Sequence, residues 1–318
     1  MRATRFFYGW VVVGVSFVCL AIAYAIWYSF SVFFVAMCED FGWSRSSASL
    51  GFSVFTITYA LSSPFSGVAV DRFGPRVVMP VGALLLAAGL VLSSTVGEIW
   101  QLYAYYGVIA AVGVNTIGTI ANFTVLSNWF QRQRGVATGI AAAGIGVGTL
   151  VLVPLSQYII QIAGWRSAYM ALAAIVLIVV PVLTVSLHRH RPEDMGLLPD
   201  GGPAGKAKDG DRRAAPMVIV DKEWAATCWT TSKAIRTRCF WFVFFGLGFA
   251  TISHQSVMIH QVAYLRDRQF DPMLAASVVG LVGLFGSLGK VFWGWLSDRL
   301  GREGTFSRGR GPTARRRG

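Results

Sequence analysis

Seven stretches of this chain carry no Asp, Glu, Lys or Arg at all: residues 6–38, 46–70, 77–97, 99–131, 135–165, 167–188 and 239–265. An eighth, 272–297, is interrupted only by Lys290. Each run is long enough for a helix crossing a hydrocarbon layer of ~30 Å, which takes about 20 residues. Inside lipid every backbone N–H and C=O needs an internal partner, so runs of this kind must be helices. Buried core helices of a soluble protein would not give eight such runs in 318 residues. The charged share is 14%, against about 25% in soluble domains. The expectation is an all-α, multi-pass membrane protein.

Arg2 and Arg5 before the first run look like the start of a signal peptide, but 33 charge-free residues follow without a cleavage-like end, so a retained span is expected. The four cysteines (Cys19, Cys38, Cys228, Cys239) have neither metal-ligand nor disulfide-framework spacing. Nothing in the sequence calls for a metal or a cofactor. The net charge of +13 is not a nucleic-acid signal here; it is a topology signal. With the N-terminus cytoplasmic, segments 1–7, 71–76, 128–134, 188–238 and 298–318 lie inside and hold 23 of the 28 Lys and Arg residues. The outside loops hold Arg45, Arg166, Arg266 and Arg268. Short loops contribute to this asymmetry as well as the long one, which places both termini inside.

The organisation expected is a six-span N-terminal bundle (1–187), a cytoplasmic linker (188–238), the first two spans of a C-terminal bundle (239–302) and a basic Gly/Arg-rich tail (303–318). The linker contains "PDGGPAGKAKDGDRRAAP", too polar and flexible to bury a core. Near its end Thr230 or Thr231 can cap a short surface helix through "SKAIRTR"; a plain solvated linker is the alternative.

A repeat cuts across this plan. "GVAVDRFGPR" (67–76) returns as "GWLSDRLGRE" (294–303), with Gly67 and Gly294, and likewise Asp71 and Asp298, 227 positions apart. Both copies sit at the cytoplasmic end of the second span of a six-span unit, as in a transporter built from two equivalent halves. Gly-x-x-x-Asp-Arg-x-Gly at these two places resembles the signature loop of the major facilitator superfamily. "NWFQRQRGVATGIAAAG" (128–144) resembles the corresponding motif of monocarboxylate transporters. "FYGWVVVG" (7–14), "RPEDMGLLPDG" (191–201) and "GKVFWGWLSDRLGR" (289–302) resemble the bacterial oxalate:formate antiporter group. The resemblance covers roughly residues 6–302 and implies a bacterial inner-membrane protein. It also implies twelve spans, so the chain is expected to be truncated after the eighth.

In such a loop the glycines let a neighbouring helix approach closely, and the aspartates can face that neighbour's positive N-terminus. The resemblance implies that span 8 meets span 5, and span 2 meets span 11, when the cytoplasmic side is shut. The expected latch residues are Gly67, Asp71, Arg72 and Gly74, then Gly294, Asp298, Arg299 and Gly301, with Arg134 opening span 5. Simple obedience to the positive-inside rule would explain the arginines but neither the aspartates nor the glycines.

Lys290 is the one Lys, Arg, Asp or Glu well inside an expected span. A bare ammonium there costs at least ~2.5 kcal/mol, so it needs a partner or a wet cavity. The resemblance implies that a span-8 cation four residues before the motif glycine holds a carboxylate substrate, and Lys290 stands four before Gly294. Lysine can also snorkel toward the cytoplasm. Further candidates for the substrate site are the span-1 stripe of Tyr24 and Tyr28 with Ser31, the span-4 stripe of Asn115, Thr119 and Asn122, and His254 in span 7. Interhelical packing is the alternative for each stripe, and a hydrogen-bonded packing role for the histidine. Tyr28 falls where monocarboxylate transporters carry a coupling lysine, so coupling of that kind is not implied.

The function expected is alternating-access transport of a small carboxylate, with membrane lipid as surroundings and a coupling ion or counter-anion unspecified. A non-transporting fragment, or a carrier of another small solute, is the alternative. A drug/proton antiporter is disfavoured because "AYYGVIAAVGVNT" (104–116) has no arginine. An intramembrane enzyme is disfavoured because the spans hold no His-Glu-x-x-His, no Gly-x-Ser-x-Gly and no acidic pair.

Overall fold

The computed structural model describes residues 7–131, 133–201 and 231–300, with side chains as far as residue 292 apart from those of 201, 231 and 232. Seven helical runs among them are long and apolar enough to cross a membrane. One, Arg134–Leu187, has 54 residues, twice what a span requires, and leaves helical geometry at Gly164 (φ 80°, ψ 163°). It is therefore two spans, and the total is eight. We label them α1 (Gly9–Phe41), α2 (Arg45–Phe73), α3 (Pro75–Ser94), α4 (Ile99–Trp129), α5 and α6 (Arg134–Leu187, before and after Gly164), α7 (Arg238–Asp267) and α8 (Pro272–Leu300). A short helix, Thr231–Ile235, precedes α7; its proposed cap at Thr230 or Thr231 lies outside the described residues and side chains.

Local chemistry sets the turns. Gly42 closes α1 at φ 67°, and the Ser44 hydroxyl accepts from Ser47 N to start α2. Gly74 (φ 75°) ends α2 and Pro75 is the first residue of α3, so the expected latch loop is a single glycine between two helices. The Asp271 carboxylate accepts from Met273 N and Leu274 N (2.8 and 3.2 Å) at the start of α8.

α5 is the axis of the bundle, and small residues make it so. A Cβ on Gly144 would collide with the Phe17 carbonyl of α1, and one on Gly148 with the Ala21 carbonyl. On another face, a Cβ on Gly146 would collide with the Gly283 carbonyl of α8, while Gly280 of α8 lies against the Leu150 backbone. One helix thus carries two glycine faces, each admitting a neighbour at backbone distance. α1 is buried on most sides, whereas α7 presents Phe242, Val243, Leu247 and Phe249 outward, as suits a lipid-facing helix.

The first residues after α6, placed by composition in the linker, are packed against the six-span bundle. His188 is fully buried, with Nε2 3.4 Å from Ser16 Oγ of α1 and Nδ1 3.2 Å from Met79 Sδ of α3. Trp129 Nε1 donates to Arg189 O, and Gln131 N donates to the Asp200 carboxylate. His190 lies beside Gly74; burial, then the Arg191 charge, lowers its pKa, and Asp194 and then Asp71 oppose this. Residues 188–201 therefore form a strap under α1, α3 and α4, not a solvated tether. The rest of the expected linker as far as residue 230, and the 303–318 tail, lie outside the described residues.

Candidate functional site

α4 supplies the irregular backbone on which the site is built. It is wound as a π-helix over Tyr103–Ala110, then breaks at Gly118 (φ −82°, ψ −157°) before resuming at Thr119. Carbonyls freed by such a break need donors in a membrane. Asn122 Nδ2 provides them, donating to Ile117 O (2.9 Å) and Gly118 O (2.8 Å). Broken helices of this kind line central sites in transporters.

Three hydroxyls from three helices meet at the break. Tyr24 Oη of α1 lies 3.2 Å from Thr119 Oγ1 and 3.3 Å from Tyr59 Oη of α2, and Tyr59 Oη lies 3.4 Å from Thr119 Oγ1. Tyr24 and Tyr59 sit half-way along their helices, so the trio is at mid-depth. A Cβ on Gly118 would lie 2.8 Å from the Val114 carbonyl oxygen and 3.2 Å from Tyr59 Oη, which is why glycine suits that position. Trp27 stacks on Tyr24 (5.7 Å) and meets Tyr59 edge-on (4.8 Å), and its buried Nε1 has no acceptor among the described residues. Hydroxyls in this arrangement can donate to an anion or accept from a neutral solute by rotating a proton.

The expected site residues separate into groups. Tyr24 and Thr119 join in the trio; Tyr59 was not expected and completes it. Tyr28 stands one turn along, its ring 6.4 Å from that of Tyr24, and Ser31 donates to Tyr28 O within α1. Asn115 is fully buried against α2: its Nδ2 donates to Tyr59 O, Ser62 Oγ and Ser63 Oγ, and its Oδ1 accepts from Ser66 Oγ. Asn122 mends the α4 break as described. His254 is exposed on α7.

Lys290 is exposed on α8, where its own carbonyl passes α5 at Gly139. No carboxylate lies within ion-pair distance of it among the described residues. By helical period it shares a face with Ala275, Val279 and Gly286, about 50° round from the line of α5 contact. Its level is not that of the trio. Gly148 packs at Ala21 and Gly280 at Leu150, so Tyr24 is level with the Gly280 turn. Ten residues separate Gly280 from Lys290, about 15 Å along the axis. The conformation described does not bring Lys290 to Tyr24 or Tyr28.

Of the expected latch residues, Gly67 faces Ile120 of α4, and Asp71 and Arg72 are exposed, with Arg72 over the Phe73 ring at 5.4 Å. Arg134 is exposed in the first turn of α5. Gly294, Asp298 and Arg299 are described only as part of the α8 backbone, and Gly301 lies outside the described residues.

The family model of the Major Facilitator Superfamily matches residues 16–313. The chain belongs to that superfamily. It is 27% identical over 310 residues to the oxalate:formate antiporter of Oxalobacter formigenes, covering 96% of this chain and 66% of that protein. It is 26% identical over 301 residues to human monocarboxylate transporter 12, covering 92% and 57%. Rat monocarboxylate transporter 3 is 34% identical over 170 residues, covering 54% and 34%. The chain thus spans between a third and two thirds of the length of these relatives. Among solved structures, a bacterial homologue of the lysosomal transporter Spinster superposes with a TM-score of 0.66 at 15% identity, covering 95% of this chain and 64% of the other, which supports the fold. The chain is a multi-pass, all-α membrane protein of a transporter superfamily, and the relatives named are transporters, not enzymes.

Proposed function

We propose that this chain works in, or as part of, a secondary carrier for a small carboxylate, with Lys290 as the charge that selects the anion. The observation that carries the reading is an exposed ammonium on α8, about 15 Å from the mid-depth trio, with no carboxylate partner among the described residues. A site of this kind favours a guest that brings a negative charge. The names of the relatives, oxalate:formate antiporter and monocarboxylate transporter, point to the same substrate class.

The separation of Lys290 from the hydroxyl trio fits a path with two stations. The anion meets Lys290 near the N-terminal end of the bundle and the Tyr24–Tyr59–Thr119 trio at mid-depth. Alternating access then arises from rocking α7 and α8, with whatever follows them, against the six-span unit. The N-terminal end, with Gly67, Asp71, Arg72, Gly74 and Arg134, faces the cytoplasm of a bacterial cell in this reading, and a coupling ion or counter-anion completes the cycle.

The test is counterflow of labelled formate and oxalate in proteoliposomes, with Lys290→Ala and Lys290→Arg compared with the parent. Lys290→Ala abolishes exchange while Lys290→Arg retains part of it. Equal exchange by parent and Lys290→Ala rules the reading out.

A further inference from the structure

Two ion pairs join α7 to the six-span unit at the end opposite the N-terminus. Arg45 at the start of α2 grips Asp267 with both guanidinium arms, Nη1–Oδ2 and Nη2–Oδ1 each 2.6 Å. Arg266 Nη2, from the adjacent residue of α7, donates to Glu39 Oε1 at the end of α1 (3.0 Å). The third pair, Arg166–Asp40 at 3.3 Å, stays within the six-span unit. Among the described residues, these are the hydrogen bonds that tie α7 to α1 and α2. Consecutive residues of one helix end therefore reach two different helices of the other unit.

These pairs line a half-open cavity of about 710 Å³, bordered also by Phe34, Val35, Cys38 and Trp43. Glu39 and Arg266 also border a second cavity of about 230 Å³ that reaches Gln157 and Gln161 of α5. The pairs thus line both cavities, on the boundary between α7 and the six-span unit at this end. Arg45, Asp267 and Glu39 have side chains half exposed or more (54%, 52% and 60%), and Arg266 is 31% exposed. Exposed pairs hold weakly and break reversibly, which suits a contact that must part in every cycle.

We propose that Arg45–Asp267 and Glu39–Arg266 form a two-pair gate that closes this end of the carrier and must separate for the opposite-facing state. The proposal rests on the carrier reading above and adds to it the residues that control access from one side. Arg166–Asp40 is not part of the gate, since it spans no moving boundary.

Cys38 is a built-in reporter. It borders the larger cavity, Cys19 is buried, and Cys239 begins α7 at the other end of the bundle. With Cys19, Cys228 and Cys239 replaced by serine, the rate at which a membrane-impermeant maleimide labels Cys38 in proteoliposomes reads opening of this end. Asp267→Asn leaves Glu39 and Arg45, the charged neighbours of Cys38, in place and raises the labelling rate about two- to fivefold, the range expected for loss of one exposed pair. Arg266→Gln does the same through the second pair, and serves alone if Asp267→Asn fails to insert. The exchange Arg45→Asp with Asp267→Arg recovers closure, seen as slower labelling than in Arg45→Asp alone, which carries the same change of charge beside Cys38.

Unchanged labelling in both single variants, or no recovery in the exchanged one, overturns the gate. Labelling is read without substrate, so it is separate from the counterflow test. A raised rate with no carboxylate exchange in the parent keeps the gate and removes the carboxylate reading; the converse removes the gate alone.

Discussion

Gly146 N of α5 donates to Ser287 Oγ of α8 at 2.9 Å, so these two helices touch with almost no side chain between them. The contact continues through Gly283 against Thr149 and Gly280 against Leu150. α5 belongs to the six-span unit and α8 to the following pair, so this glycine seam is where the two units bear on each other. Small residues admit such an approach, and in lipid close van der Waals packing replaces the hydrophobic drive that would hold helices together in water.

A single methyl group should therefore be damaging in that seam and harmless on an open helix face. Gly146→Ala is expected to lower stability by ~1–3 kcal/mol, the usual penalty for overpacking. Gly14→Ala on the exposed side of α1, where an added Cβ meets nothing within 4 Å, should be neutral. Thermal unfolding of the two variants in detergent makes the comparison; equal midpoints would show that α5 and α8 are not packed in this way.

The hydroxyl trio makes a different prediction for Tyr59, because removing one oxygen leaves Tyr24 and Thr119 still paired with each other. Tyr59→Phe should lower stability by no more than about 0.5–1.5 kcal/mol, the net worth of a hydrogen bond. It should also raise the substrate concentration needed for half-maximal counterflow. If exchange keeps the parent's concentration dependence while stability falls, the trio is a packing contact only.

The spans were legible because the bilayer tolerates so few alternatives: eight nearly uncharged runs left no choice but eight helices. Even the division of the 54-residue run was marked, since Arg166 separates two of the charge-free stretches and the structure turns at Gly164, two residues before it. Polar stripes were a weaker guide. Periodicity along one helix can put Asn115 and Thr119 on one face, but not show that Asn115 spends its hydrogen bonds on α2. Tyr59 went unnoticed because its partners come from α1 and α4, and the one local hint was Gly118 within an otherwise helical run. The strap at 188–201 was hidden by composition: Arg, His, Pro and Asp suggest a solvated linker, while the signal of packing was only the apolar group Met195, Leu197 and Leu198. Arg45 and Asp267, 222 residues apart, could not be paired from one sequence at all.

Asn122 gives the clearest separation of structure from recognition. Its amide nitrogen satisfies two carbonyls at the α4 break, and Asn122→Leu leaves both without that donor in a lipid-surrounded core. A loss of ~1–3 kcal/mol is expected, chiefly from Ile117 O, because Gly118 O keeps the backbone N–H of residue 122 at 3.3 Å. Asn122→Gln, whose amide is one carbon too far, should recover only part. Exchange activity should fall in proportion to folded protein, measured as monodisperse protein recovered by size-exclusion chromatography; loss of exchange at full recovery would instead place Asn122 in contact with substrate.

The strap carries a pH dependence whose sign follows from where His188 sits. Burial pushes the His188 pKa down from 6.5 to about 3, and the nearby charges of His190 and Arg76 push the same way. The folded state therefore keeps the imidazole neutral over a range in which the unfolded chain protonates it. The stability this gives is full above pH 6.5 and is lost as pH falls from 6.5 toward 3. With about 1.4 kcal/mol per pH unit of difference in protonation, lowering the pH from 7 to 5 should remove about 2 kcal/mol. His188→Gln removes the titrating group, so its unfolding midpoint should fall less between pH 7 and pH 5 than that of the parent. Parallel pH profiles for the two proteins would mean that His188 reaches water and that the strap is not seated beneath α1 and α3.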